Sequence, residues 1–234
     1  MHAAEPGVAE RLGSALALLQ AHARPDQLAG MARFGLVGQG RLGLSVPQMR
    51  AVAKALGRDH DLALALFDSG TPDARIVAAL VAEVKRLTPA QMDHWIAGFD
   101  AWDVCDQACN QLFARSPHAW AKVAAWSSRA PEFERRAAFS LLSALAVHDK
   151  KAPDSSFVDA LALIESAADD QRNFVRKAVN WALRSIGKRN RVLNEAAIAC
   201  ALRIRERGTP AARWIASDAL RELQSPAVLR RLAR

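Results

Sequence analysis

Apolar residues recur along this chain at intervals of three and four rather than in alternation, the spacing of helices with one buried face. Leu12, Leu16 and Leu19 mark a first amphipathic helix over residues 8–23. Pro25 opens a short helix that breaks at Arg33-Phe34-Gly35, and Ser45-Val46-Pro47 starts another carrying Met49, Val52, Ala53 and Leu56. Thr71-Pro72, Thr88-Pro89, Ser116-Pro117, Thr209-Pro210 and Ser225-Pro226 each pair an N-cap hydroxyl with a proline at the first helical position. Five copies of one start signal, with no hairpin signal, predict an all-α protein of about a dozen helices joined by short antiparallel connections. The glycine-rich stretch Gly38-Gln39-Gly40-Arg41-Leu42-Gly43 has neither the spacing nor the preceding strand of a phosphate-cradling loop, and reads as a connection.

The pattern also repeats. Arg176 is followed six residues later by Ala182-Leu183-Arg184, and Arg213 by Ala219-Leu220-Arg221. Looser copies begin at Arg75 and Arg136. The arginines at 136, 176 and 213 stand roughly 37–40 residues apart, the period of stacked helix pairs. Residues 174–187 resemble the second helix of a HEAT repeat. The expected fold is an α-solenoid of HEAT-like helix pairs, an α-α superhelix with a concave face, occupying 1–234 as a single domain.

Charge narrows the partner. The formal net charge is +8 and the isoelectric point about 10.1, which attracts a polyanion, nucleic acid before an anionic membrane. The N-terminus shows no secretory signal and no apolar stretch reaches membrane-spanning length, so the expectation is a cytoplasmic protein without a membrane partner. Cys105, Cys109 and Cys200 have no framework or zinc spacing and are expected to be buried thiols.

Candidate chemistry concentrates in few places. His2, His22, His60, His94, His118 and His148 are scattered singly, and no metal or cofactor site is expected. Gly98 and Asp100 precede Trp102-Asp103-Val104-Cys105-Asp106, so Asp100 is the expected N-cap and Asp103 its capping-box partner. Trp102 and Asp106, four apart, share one helical face, an indole one turn before a carboxylate. That pair suits a cation, either a salt-bridge partner or a substrate. Arg135-Arg136 and Lys188-Arg189-Asn190-Arg191 are basic clusters able to reach phosphates, or to pair with carboxylates between repeats. Most of the six tryptophans read as packing residues. Trp181 stands apart because it replaces a small residue in the repeat and follows the polar Asn180.

Trp102-Asp103-Val104-Cys105-Asp106, then Arg135-Arg136-Ala137-Ala138-Phe139, then Phe174-Val175-Arg176-Lys177-Ala178-Val179-Asn180-Trp181 resemble, in order and separation, the AlkD-like DNA alkylation repair glycosylases. Leu42 to Arg50 resembles the segment after that family's first helices. The resemblance implies hydrolysis of the N-glycosidic bond of N3- and N7-alkylated purines in duplex DNA, without cofactor, by a monomer gripping DNA in its concave face. It further implies Asp106 as the catalytic carboxylate, Trp102 and Trp181 as aromatic walls, and Arg136 as a backbone contact. Lys188, Arg189 and Arg191 are weaker candidates for backbone contact. The rival expectation is a HEAT-like scaffold that binds nucleic acid or protein without catalysis.

Overall fold

The computed structural model describes residues 7–233, which form fourteen α-helices and two 3-10 turns, with no strand among them; His2 lies outside the described residues. Two compact units meet in sequence between Ser116 and Pro117.

The first unit holds α1 (Val8–Ala21), α2 (Pro25–Ala32), α3 (Val46–Leu56), α4 (His60–Asp68), α5 (Pro72–Val81), α6 (Pro89–Ala97) and α7 (Trp102–Gln111). Helix α5 is its axis, packing on α3, α4 and α7, with Ile76, Val77, Ala78, Ala79 and Val81 all buried. An aromatic cluster closes the core beside it. Trp95 stacks on Phe67 at 4.5 Å between centroids, and Phe99 and Phe113 fill the flanks. Burying rings of this size adds a large apolar area to the aliphatic core of this unit.

The second unit holds α8 (Ala119–Trp126), α9 (Glu132–His148), α10 (Asp154–Ser166), α11 (Asn173–Gly187), α12 (Arg191–Glu206), α13 (Pro210–Leu223) and α14 (Pro226–Leu232). Here α9 packs on α11 and α11 on α13, while α10 packs on α12, so each helix meets its equivalent one repeat later. Polar contacts keep the same step. Asn180 reaches Asp218, Arg184 reaches Glu222, Arg203 reaches Glu165 and Arg207 reaches Asp169, each across 38 residues. The period expected from the arginines is thus written into the hydrogen bonds. Gly187 ends α11 where a Cβ would lie 2.7 Å from Leu223 Cδ2 and 2.9 Å from Ala197 Cβ. Only glycine lets α11 approach α12 and α13 this closely.

Four of the five Ser/Thr-Pro signals start helices as expected, and Thr88, Thr209 and Ser225 accept from the backbone N–H of the third helical residue. Ser116-Pro117 does not. Ser116 is buried and Pro117-His118 form a turn, so α8 begins at Ala119 with His118 as its cap. The N-terminus of α7 also differs from expectation. Its N-cap is Ala101, with no side-chain cap, because Asp100 instead lies 3.4 Å from Arg75 and Asp103 is taken by Arg41.

Candidate functional site

Helix α7 carries the motif singled out from sequence. Val104, Cys105, Ala108 and Cys109 form its buried stripe, which leaves Trp102 and Asp106 together on a half-buried face. The fold holds this helix start by means no local pattern announces. Arg41, at the tip of the glycine-rich connection, makes a bidentate pair with Asp103 at 2.7 and 3.0 Å, with the two side chains 4% and 13% exposed. Trp102 Nε1 donates to the carbonyl of Phe34 at 2.9 Å. The indole is therefore fixed at both its backbone and its N–H. One turn on, Asn110 Nδ2 donates to the Asp106 carbonyl at 3.0 Å.

The connection that supplies Phe34 and Arg41 is itself anchored. Asp73, fully buried at the start of α5, accepts the backbone N–H groups of Leu42 at 2.8 Å and Leu44 at 3.0 Å. Two amide donors and the N-terminal end of α5 compensate a carboxylate that would otherwise be costly to bury. Gly43 sits at φ +85° with Arg24 O only 2.3 Å from where a Cβ would stand, so its backbone admits no side chain. The expectation of an ordinary connection needs sharpening: it is a loop organised around Asp73 that delivers Arg41 to Asp103.

The remaining expected site residues lie in the second unit. Arg136 on α9 is 5% exposed, and its Nη1 donates to the Phe174 carbonyl at 2.7 Å, stitching α9 to the start of α11. Arg75 makes the corresponding contact in the first unit, donating to Gly98 O at 2.7 Å. Arg135 is likewise engaged, by Ser127 O at 2.9 Å and Asp170 at 3.1 Å. Trp181 on α11 is half-buried, and its indole has no hydrogen-bond or ring partner among the described residues. The Asn180 before it donates to Asp218 at 2.7 Å.

The basic run after α11 divides. Lys188 pairs with Glu222 at 2.5 Å, and Arg189 donates to Ala146 O and Asp149 O while lying 4.0 Å over the Phe157 ring. Arg191 is exposed, 3.3 Å from Glu195. Burial would raise the Asp149 carboxyl, but donation from Trp120 Nε1 and the Ala152 and Lys151 amides outweighs it and holds the group below its ordinary value. Burial likewise opposes the ionised Glu222, yet Lys188 and Arg184 together keep its carboxyl low.

The other tryptophans with clear partners behave as packing residues: Trp95 and Trp126 are fully buried, and Trp120 meets Phe157 edge-on. All three cysteines are buried thiols outside any disulfide, and burial pushes the Cys200 thiol up to about 12. Among the described residues no group of three His, Cys, Asp or Glu side chains gathers to hold a metal. No described helix is long and apolar enough to cross a membrane.

With this geometry in hand, likeness to known proteins becomes informative. A family model described as DNA alkylation repair enzyme matches residues 15–223. Among solved structures, one described as "a new family of proteins related to the HEAT-like repeat DNA glycosylases with affinity for branched DNA structures" superposes with a TM-score of 0.74. It is 18% identical, over 88% of this chain and 93% of that chain. At that identity the likeness is one of fold: stacked HEAT-like helix pairs, as the repeat spacing predicts. No curated protein matches the chain.

Proposed function

The chain belongs to the DNA alkylation repair enzyme family, and from that premise we propose that it is a DNA glycosylase that excises N3- and N7-alkylated purines from duplex DNA. One observation carries the reading. Asp106 and Trp102 share a face of α7 whose start is clamped by Arg41 on Asp103 and by Phe34 O on the indole. A salt-bridge scaffold has no need to fix an indole this way, whereas a catalytic carboxylate does need a rigid frame.

The chemistry asks little beyond that frame. An N-alkylated purine already carries positive charge, so the base departs with the bonding electrons of its N-glycosidic bond and becomes neutral. No general acid is required. The sugar left behind is oxocarbenium-like, and Asp106 stabilises that charge or orients the water whose oxygen bonds to C1′. The water's second proton passes to the carboxylate or to solvent. The Trp102 face attracts the cationic nucleotide by about 0.5–2 kcal/mol. Trp181 offers DNA a second aromatic face. Arg136 acts through position, because its hydrogen bond to Phe174 O holds the start of the helix that bears Trp181; a direct phosphate contact would require it to leave that bond. The enzyme acts on duplex DNA as a monomer.

A second reading has its own support in the fold neighbour described by its affinity for branched DNA: a binder of DNA structure without excision. Release of methylated purines from alkylated duplex, measured beside binding to duplex and to a four-way junction, separates the two. Time-dependent release of 3-methyladenine or 7-methylguanine supports the glycosylase. Tight junction binding with no release supports the binder.

A further inference from the structure

Beside Trp181 lies an open cavity of about 460 Å³ whose basic lining the excision chemistry does not use. Lys150, Lys188, Arg189 and Arg231 line it together with the indole, and no carboxylate does. Two of the four cations have their positions fixed from within. Lys188 is held by Glu222, an acid it shares with Arg184, and Arg189 is held by the carbonyls of Ala146 and Asp149. The other two are not neutralised. Lys150 is exposed and has no carboxylate partner among the described residues; its neighbour Asp149 is turned to Trp120 and to the Lys151 and Ala152 amides. Arg231 Nη2 donates to Lys188 O at 2.7 Å, which sets its guanidinium at the rim without cancelling its charge. Asn190, the N-cap of α12, forms another part of the wall; its Oδ1 accepts from Leu193 N–H and its amide donates to Asp154, so it adds no charge to the recess.

A recess of this size with two cations free of carboxylate partners, no carboxylate in its lining and one indole matches an anion attached to a planar or sugar group. We propose that it is a phosphate seat, in which Lys150 and Arg231 hold one phosphate of DNA while the adjoining nucleotide lies against Trp181. The seat rests on the DNA-binding half of the proposed function and is independent of excision. The phosphate is either an internal diester of a continuous strand or the terminal monoester at a strand break, and both offer the same oxygens to these cations.

The test is the salt dependence of DNA binding for the full chain, wild type against Lys150→Ala and Arg231→Ala. Three probes are used: an intact duplex, a nicked duplex with a 5′-phosphate, and the same nick with a 5′-hydroxyl. Each alanine variant is expected to weaken binding and to lower the slope of log K against log salt by about one, with Lys150→Arg restoring it. Equal losses on all three probes identify the internal diester; losses confined to the 5′-phosphate nick identify the terminal monoester. Unchanged slopes in both variants, with salt-sensitive binding by the wild type, overturn the seat alone. A wild type that does not bind DNA overturns the seat and the proposed function together. Purine release that fails while the slope effect holds overturns only the excision reading.

Discussion

At the scale of single residues, the buried pair of Arg41 and Asp103 decides whether α7 presents Trp102 and Asp106 in one geometry. Breaking a pair this enclosed by removing one member leaves an uncompensated charge, typically at a cost of about 3–5 kcal/mol. Asp103→Ala should therefore lower the unfolding free energy from urea titration by a margin of that order, with a matching fall in the midpoint, and Arg41→Leu combined with Asp103→Leu should recover much of the loss. Equal midpoints for Asp103→Ala and wild type would show that the pair does not stabilise the fold. The partnership spans 62 residues, which is why Asp103 read from sequence as a local cap. The shared face of Trp102 and Asp106 was legible because the two stand one turn apart on one helix; the frame that holds it was not, since Phe34, Arg41 and Asp73 share no local spacing with it. Lys150 and Arg231 were invisible for the same reason, being brought to Trp181 only by the fold.

At the scale of elements, small residues set how closely helices approach. The helix starts were readable because Ser/Thr-Pro is a short-range device, and it failed only at Ser116, which is buried and closes the 3-10 turn Phe113–Arg115 instead of opening α8. Gly187 shows what such patterns leave out. Its need arises from Leu223 and Ala197 on two other helices, which no window around residue 187 contains. Alanine there gains helix propensity of at most about 1 kcal/mol, less at a terminal position. The new methyl meets the Ala197 Cβ, which has no rotamer to yield, and overpacking of this kind costs about 1–3 kcal/mol. Gly187→Ala should thus lower Tm and Gly187→Val lower it further; a rise in Tm for Gly187→Val would refute the close packing of α11 on α12 and α13.

At the scale of the whole molecule, the chain combines a strong positive charge with carboxylates that work inside the repeats. Asp169 is held below its ordinary value by hydrogen bonds from Arg207 and Thr209. Asp170 is lowered too, because Arg172 and Arg135 outweigh the burial that opposes its charge, and Glu222 follows the same logic with Lys188 and Arg184. A carboxylate whose folded value lies below its unfolded value, about 4, stabilises the fold at neutral pH and loses that contribution as pH falls through the folded value. Melting temperature should accordingly hold from neutral pH to about pH 5 and drop steeply below pH 4; an unchanged Tm at pH 3 would remove these pairs from the stability of the repeats. The repeat period and the net positive charge were legible along the chain, because both are distributed over many residues. Excision itself is assigned to a single side chain, Asp106. Single-turnover release of 7-methylguanine from methylated duplex, with duplex affinity measured in parallel for wild type and Asp106→Asn, tests it most directly. The account predicts release by the wild type, a loss of at least about a hundredfold in Asp106→Asn, and closely similar DNA affinity for the two. Equal release by both proteins would contradict it.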